Sequence, residues 1–475
     1  MNENLGKQVK SGFGWDLLGT FFKQISTLVV TVILARILSP EEFGIIGMAM
    51  VFVSLSQVFV DVGFTQGLIQ NQNNNQKIYS SVFYLNIILG LTVGIIIYLL
   101  APLIGNFYES NDVTSVVHWL CFIPLIGSFG SVHNARFVKK LNFKILAFRT
   151  IISTVAGGVM GVILALLDYG LYALVAQQLT TALFFTAILW WKSDWTPSWV
   201  FSFKEIKELL NFSAYVFLDN LLRSFFNKLD TLFIGKYFSA ATLGFYSRAE
   251  SLNAQVMQYT NSSLRKVLLP AFSKLQNNKK LFEASYFKVF NIATFVGSLA
   301  AGCLFFLAEE IVITLLGDKW QPSVLIFQIL VFRLIVSPFG ELMGKSLLAK
   351  GLSKTKFHIG QFNRVILLLP IYVGYLHGIH AFTLALVIAK GIVFIVGLWA
   401  SHTYLNISFS SQLIAFLKPL LPLIAIVFIY YYAQIDINSY LLLLVFLVTQ
   451  FFYLYLIKNP GLYIAMNLIK TLTKR

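Results

Sequence analysis

The feature that most constrains this chain is a nearly unbroken succession of apolar runs, each about 20 residues long, between residues 13 and 457. A helix of about 20 residues crosses the hydrocarbon core of a bilayer, and inside it every backbone N–H and C=O finds its partner within the segment. The residues are 57% hydrophobic and 12% charged, with a mean hydropathy of +0.75. Soluble domains sit nearer about 45–50% and about 25%. Lipid is therefore the solvent for most of the chain, and the expected fold is an all-α integral membrane protein. The runs place spanning helices near 13–37, 43–66, 79–104, 113–134, 145–167, 170–191, 209–238, 242–265, 285–308, 322–348, 358–376, 379–402, 417–433 and 440–457, about fourteen in all.

The net charge of +16 does not point to nucleic acid, because the basic residues sit in short stretches between apolar runs. That is the orientation signature of membrane proteins. With the amino terminus in the cytoplasm, 27 of the 36 Lys and Arg fall on the inner side and only Arg36, Lys236 and Lys319 on the outer. Glu41, Glu42, Glu109, Asp112, Asp168, Glu309, Glu310, Asp318 and Asp436 also fall on the outer side. Both termini are thus expected in the cytoplasm. The first run contains Asp16 and Lys23 and has no small-residue cleavage signal, so it is expected to be retained as a helix.

Internal repetition accompanies this pattern. The stretch from Ala35 through Ser39, Gly44 and Ala49 aligns with Gly235 through Ser239, Gly244 and Ala249 at an offset of 200, and Phe129-Gly130 aligns with Phe339-Gly340 at 210. Both copies begin on the same side of the membrane, as in repeats related by an axis along its normal. The expected organisation is an amino-terminal lobe over 1–192 and a cytoplasmic linker over 193–208. A second lobe then spans 209–404, and two further helices with a cytoplasmic tail occupy 405–475.

Charges inside a bilayer cost about 2.5–3.5 kcal/mol each at a helix centre, so they are expected to face a partner or a cavity. Helix periodicity groups Gly12, Asp16, Gly19 and Lys23 on one face, and likewise Asn220, Arg223, Asn227 and Asp230. Arg248, Ser251, Gln255, Gln258, Ser262 and Arg265 form another stripe, and Arg333, Ser337 and Glu341 a fourth. Asp61 ends the stripe Ser54, Gln57, Asp61 and Thr65, and Lys390 stands alone in its run. Lys23, Arg223, Arg333 and Lys390 lie near mid-membrane, where the comparison sets only Asp16 and Asp219 against them. Surplus cations at that depth suit a doubly charged anion such as a pyrophosphate. The competing expectation is structural pairing, above all Asp219 with Arg223 at i,i+4. Asp61 and Glu341 are candidates for proton or sodium coupling.

Several other signals point to packing or anchoring. The spacings Gly63–Gly67, Gly90–Gly94, Gly157–Gly161 and Gly340–Gly344 suit close helix packing, and Trp190, Trp191, Trp195 and Trp199 suit interfacial anchoring. Cys121 and Cys303 imply neither disulfide nor metal site. The histidines show no ligand spacing, no catalytic motif is present, and no cofactor or metal is expected.

The wording of particular segments is familiar. Ile37-Leu38-Ser39-Pro40-Glu41-Glu42-Phe43-Gly44, Asp61-Val62-Gly63-Phe64, Asp230-Thr231-Leu232-Phe233-Ile234-Gly235 and Leu243-Gly244-Phe245-Tyr246-Ser247-Arg248-Ala249 resemble the bacterial polysaccharide-transporter family. That family holds the O-antigen and exopolysaccharide repeat-unit flippases, within a superfamily that includes multidrug antiporters. The resemblance implies two six-helix lobes around a central cavity and alternating access, in the inner membrane. It also implies a substrate of undecaprenyl-pyrophosphate bearing a short glycan, with polymerase and other glycan-assembly proteins as partners. It supports Lys23, Arg223, Arg248, Arg333 and Lys390 as the substrate-binding set. An enzyme is disfavoured because the outer loops are too short for a catalytic site; the alternative within the fold is a cation-coupled drug antiporter.

Overall fold

The computed structural model describes residues 3–70, 75–432 and 438–473. Asp436, Lys474 and Arg475, which entered the charge comparison, lie outside the described residues, as does the side chain of Arg265. Among the described residues there are α-helices and short 3₁₀ turns and no strands. In chain order the helices are α1 (Glu3–Ile37), α2 (Pro40–Asp61), α3 (Phe64–Gln70), α4 (Gln76–Tyr108), α5 (Asn111–Leu120), α6 (Phe122–Lys139), α7 (Phe143–Leu166) and α8 (Leu171–Lys192). They continue with α9 (Phe203–Tyr237), α10 (Ala240–Leu275), α11 (Lys279–Phe306), α12 (Ala308–Leu316), α13 (Ser323–Leu330), α14 (Arg333–Ala349), α15 (Ser353–Ile366) and α16 (Leu369–Leu405). The last four are α17 (Phe409–Leu417), α18 (Leu421–Tyr432), α19 (Ser439–Leu456) and α20 (Pro460–Thr473).

Eleven helical stretches among the described residues are long and apolar enough to cross a membrane. One of them, Ser353–Leu405, is 53 residues long and is interrupted at Gly378, whose φ of 88° leaves the helical region. α9 and α10, at 35 and 36 residues, are long enough to span but are not among the eleven, because charged and polar residues interrupt them. These features are consistent with the fourteen runs of the sequence. Several boundaries differ from expectation. α2 stops at Asp61, where Val62 and Gly63 take left-handed φ values of 43° and 77°, so the run to residue 66 is two helices. α9 takes in residues 203–208 of the stretch expected as linker. α20, a helix after the last span, was expected only as a tail.

The chain divides by contact into two compact units, Met1–Ser247 and Arg248–Arg475, with the boundary inside α10. In the first, α7 packs on both α1 and α8 through small residues. A Cβ on Gly19 would lie 2.5 Å from the Ala147 Cβ, and one on Gly157 would lie 1.9 Å from Thr181 Oγ1. α4 turns Gly94, Ile97 and Ala101 inward while Leu91, Ile95, Leu99 and Leu103 are exposed, the arrangement of a helix with one face to lipid. α2 starts with a capping box: Ser39 N–H donates to Glu42 Oε2 at 2.6 Å, and Glu42 N–H donates to Ser39 Oγ at 3.3 Å.

Residues 193–202 are not loose. Ser202 N–H donates to Ser81 Oγ at 2.8 Å, Gln76 Nε2 donates to the Thr196 carbonyl at 2.8 Å, and Asp194 pairs with Arg136 and Lys140. Trp195 is buried against Tyr79, Phe83 and His133, so it is a core side chain and not an interfacial anchor. Trp199 and Trp191 are exposed, as anchors require.

The second unit is built around an aromatic core on α11, α14, α16 and α17. Phe290 and Phe339 have ring centroids 4.4 Å apart, Phe339 and Phe394 5.0 Å, and Phe394 and Phe416 4.2 Å.

Candidate functional site

Immediately beside that core the second unit encloses a cavity of about 190 Å³. α14 contributes Arg333, Ser337 and Gly340 at steps of four and three, hence on one face. α16 contributes Lys390, Val393 and Gly397 by the same periodicity, and α15 contributes Asn363. The base is held rigid by Tyr286, whose hydroxyl donates to Gln412 Oε1 at 2.9 Å and lies 3.2 Å from Ser401 Oγ, all of them buried. Asn363 Oδ1 is a buried acceptor with no hydrogen-bond partner in the protein. Buried polar atoms are normally satisfied, so this one marks a place for a polar ligand or water. Whole drug-sized ligands occupy pockets of about 300–1,000 Å³; this smaller, doubly cationic space suits a charged head group.

Two of the five expected binding residues, Arg333 and Lys390, therefore meet at one cavity. Arg333 does not stand as surplus charge. Its Nη1 donates to Glu250 Oε2 at 2.6 Å, with the Arg333 side chain 12% and the Glu250 side chain 30% exposed. Glu250 is therefore a third acid at this depth beside Asp16 and Asp219, and Arg333 is not among the surplus cations. A signal for it was available: Glu250 lies ten residues into α10 and Arg333 ten residues beyond the start of α13, equal depths of about 15 Å at 1.5 Å per residue. Arg248, half-buried on α10, and Glu341, half-buried on α14, are not among the side chains lining the cavity. The spacing Gly340–Gly344 is likewise not a tight helix contact, since a Cβ on Gly340 would meet nothing within 4 Å.

In the first unit, Lys23 is exposed on α1 and Asp16 is half-buried two turns away on the same face. Arg223 pairs with Asp219 along α9, the structural arrangement that the i,i+4 spacing offered. Asp61 accepts from Thr65 N–H at 2.9 Å and from Thr65 Oγ1 at 2.6 Å, so it caps α3 after the break at Val62–Gly63. Arg149, grouped in sequence with the cytoplasmic basic residues, is buried within the bundle. Its guanidinium lies 3.6 Å from the Phe185 ring centroid and Nη1 donates to Asn134 Oδ1 at 2.8 Å. Among the described residues no three His, Cys, Asp or Glu side chains gather as a metal site.

Known proteins resemble this chain along most of its length. The teichuronic acid biosynthesis protein TuaB of Bacillus subtilis is 24% identical over 88% of the chain and 87% of its own. The lipopolysaccharide biosynthesis protein WzxC of Escherichia coli is 23% identical over 78% and 76%. The succinoglycan biosynthesis transport protein ExoT of Rhizobium meliloti is 26% identical over 66% and 64%. Among solved structures, the lipid II flippase MurJ in an inward closed conformation superposes with a TM-score of 0.74 at 16% identity, covering 92% of this chain and 97% of its own. An inward-facing MATE-family multidrug transporter gives 0.63 at 15%, covering 81% and 94%. These likenesses establish the fold, a multi-pass helical membrane protein of the kind to which both transporters belong. Residues 33–325 match the family described as polysaccharide biosynthesis protein, and the chain belongs to that family.

Proposed function

We propose that the protein is a flippase that carries undecaprenyl-pyrophosphate-linked oligosaccharide repeat units from the cytoplasmic to the outer leaflet of a bacterial inner membrane by alternating access. The product supplies O-antigen, capsule or exopolysaccharide assembly, with a polymerase and other glycan-assembly proteins acting next. The observation that carries this proposal is the meeting of Arg333 and Lys390 at one small cavity lined by Ser337 and Asn363. Guanidinium and ammonium groups bind phosphate oxygens strongly, the guanidinium in a planar fork. The cavity's volume is of the order of a pyrophosphate group, so the glycan and the polyprenyl chain lie outside it. Lys23, Arg223 and Arg248 are proposed as further contacts to phosphate or glycan. Asp16, Asp61 and Glu341 are assigned to pairing, capping or ion coupling. Translocation requires no bond to be made or broken, so no catalytic residue is assigned, and both termini are placed in the cytoplasm. A cation-coupled drug antiporter would be served better by an acid-lined cavity than by this one.

The test is deletion of the gene followed by extraction of lipid-linked glycans. A repeat unit should accumulate on the cytoplasmic leaflet, and export should return with the wild-type gene but not with stable Arg333→Ala or Lys390→Ala proteins. Normal export in the deletion strain, or full complementation by both variants, overturns the proposal.

A further inference from the structure

Glu250 pairs with the cavity-lining Arg333, and its geometry gives it a role beyond charge balance. Arg333 Nη1 and Glu250 Oε2 are 2.6 Å apart, a charge-assisted contact of the kind a phosphate would make with the same group. A carboxylate and a phosphate compete for a guanidinium because both satisfy its fork with paired oxygens. They also repel each other, and in a medium less polar than water the repulsion is not screened away. A phosphate seated on Arg333 therefore has a like charge beside it unless Glu250 withdraws. The exposures say which partner can withdraw: Arg333 is 12% exposed and Glu250 30%. Arg333 also leads α14, whose next turns are buried at Leu334 and Ile335 and enter the aromatic core at Phe339.

We infer that Glu250 is a specificity-determining residue, an internal competitor whose carboxylate holds the Arg333 guanidinium until a phosphate strong enough to displace it arrives. This rests on the pyrophosphate reading of the Arg333–Lys390 cavity. A monophosphate presents one cluster of charge to Arg333 and must displace Glu250 with that alone. A pyrophosphate reaches Arg333 with one phosphate while Lys390 holds the other, so the second contact helps drive Glu250 off. The ion pair weakens every anion on Arg333 by the same factor, which leaves a single phosphate too weakly held while the diphosphate, gripped also by Lys390, stays bound.

The experiment titrates inorganic pyrophosphate and inorganic phosphate into the purified full-length protein in detergent by calorimetry, at fixed ionic strength. Glu250→Gln should bind pyrophosphate and phosphate each about tenfold more tightly. Arg333→Gln should lose affinity for both, and the double variant E250Q/R333Q should match R333Q. If E250Q binds no more tightly than wild type while R333Q binds less, Glu250 only braces Arg333 and the inference is overturned with the cavity reading intact. If pyrophosphate binding is indifferent to both R333Q and K390Q, the cavity reading fails and takes the inference with it. Should E250Q not yield folded protein, Glu250→Asp draws the carboxylate back by one methylene. It should shift both affinities the same way by a smaller factor, and an unchanged or opposite shift overturns the inference.

Discussion

Gly44 and Gly244, two hundred positions apart in the repeats, each lie against the turn that precedes the other. A Cβ on Gly44 would stand 1.8 Å from the Ala240 carbonyl oxygen, and one on Gly244 1.9 Å from the Pro40 carbonyl oxygen. The reciprocity explains why the motif from Ser39 to Gly44 recurs from Ser239 to Gly244: each copy needs a residue without a side chain where the other's backbone passes.

Alanine at either position should therefore be costly, since the obstructing atom is backbone and cannot rotate away. Overpacking of this kind costs about 1–3 kcal/mol. Gly391→Ala is the control, because its Cβ meets nothing within 4 Å and alanine in an open helical site stabilises by about 0.5–1 kcal/mol. Thermal unfolding of the detergent-solubilised proteins should separate the first two from the third, and equal melting temperatures for all three would show that the crossing is looser than described.

Arg149 offers a second check on packing. Its guanidinium joins α7 to Asn134 of α6 and to Phe185 of α8, and its flatness matters to the Phe185 contact. Arg149→Lys keeps the charge but loses the planar stack, and Arg149→Ala removes a buried charge-assisted hydrogen bond worth about 1.5–3 kcal/mol. Stability should fall in the order wild type, lysine, alanine. A lysine variant as stable as wild type would show that only charge is needed there.

Asp194 fixes the segment before α9, and this should be visible in its pH dependence. The Lys140 ammonium bonded to it, with charge from Lys140 and Arg136, holds its carboxyl below the ordinary carboxylate value. A depressed folded value means that the ionised form is the docked one. The stabilisation is complete above the ordinary value of about 3.9 and is lost as pH falls through the lower folded value. With Asp194 64% exposed, screening limits the contribution to about 1 kcal/mol or less. With the other tryptophans replaced by phenylalanine, Trp195 emission should stay constant from neutrality to about pH 4 and shift to the red below it. The same shift in Asp194→Asn should already be partly present at neutral pH.

Much of the architecture is legible in the sequence because a spanning run declares itself by length and apolarity alone, with no knowledge of neighbours. What is not legible depends on neighbours or lies below that length. The break at Val331–Phe332, which lets Arg333 open α14, occurs where no Pro or Gly lies within five residues. α20 is only 14 residues long, too short to register as a span. Arg333 and Lys390 could be singled out because a charge in a bilayer is expensive wherever it sits. Glu250 could not be assigned to Arg333 until α10 and α14 were known to be adjacent. Asp61 was noticed for its charge, but its use as a cap follows from left-handed φ at Val62, an unusual conformation for a β-branched residue.

Topology is a separate expectation and has its own test. Reporter fusions in the segments 136–144 and 274–280 should report cytoplasm, because both carry clusters of Lys or Arg. A periplasmic signal from either would overturn the proposed orientation and the direction of transport with it.

Arg223 decides between pairing and binding in the first unit. It forms an ion pair with Asp219 one helical turn away, yet its side chain is 61% exposed and that of Asp219 50%. Exposed i,i+4 pairs stabilise helices by about 0.3–0.5 kcal/mol, so removing Arg223 should scarcely alter the melting temperature. A charge-assisted contact to phosphate is worth about 1.5–3 kcal/mol, which at 1.4 kcal/mol per decade is about ten- to a hundredfold in transport. Arg223→Ala is therefore expected to export glycan at a tenth of the wild-type rate or less with the protein's stability intact. Arg223→Lys should retain part of the activity, because it keeps the charge without the fork. The double variant D219A/R223A separates the roles. If Arg223 serves only to neutralise Asp219, the double variant should export well; if it holds phosphate, the double variant should be as poor as R223A alone. Export normalised to membrane protein level measures the difference, and recovery in the double variant would remove Arg223 from the binding set.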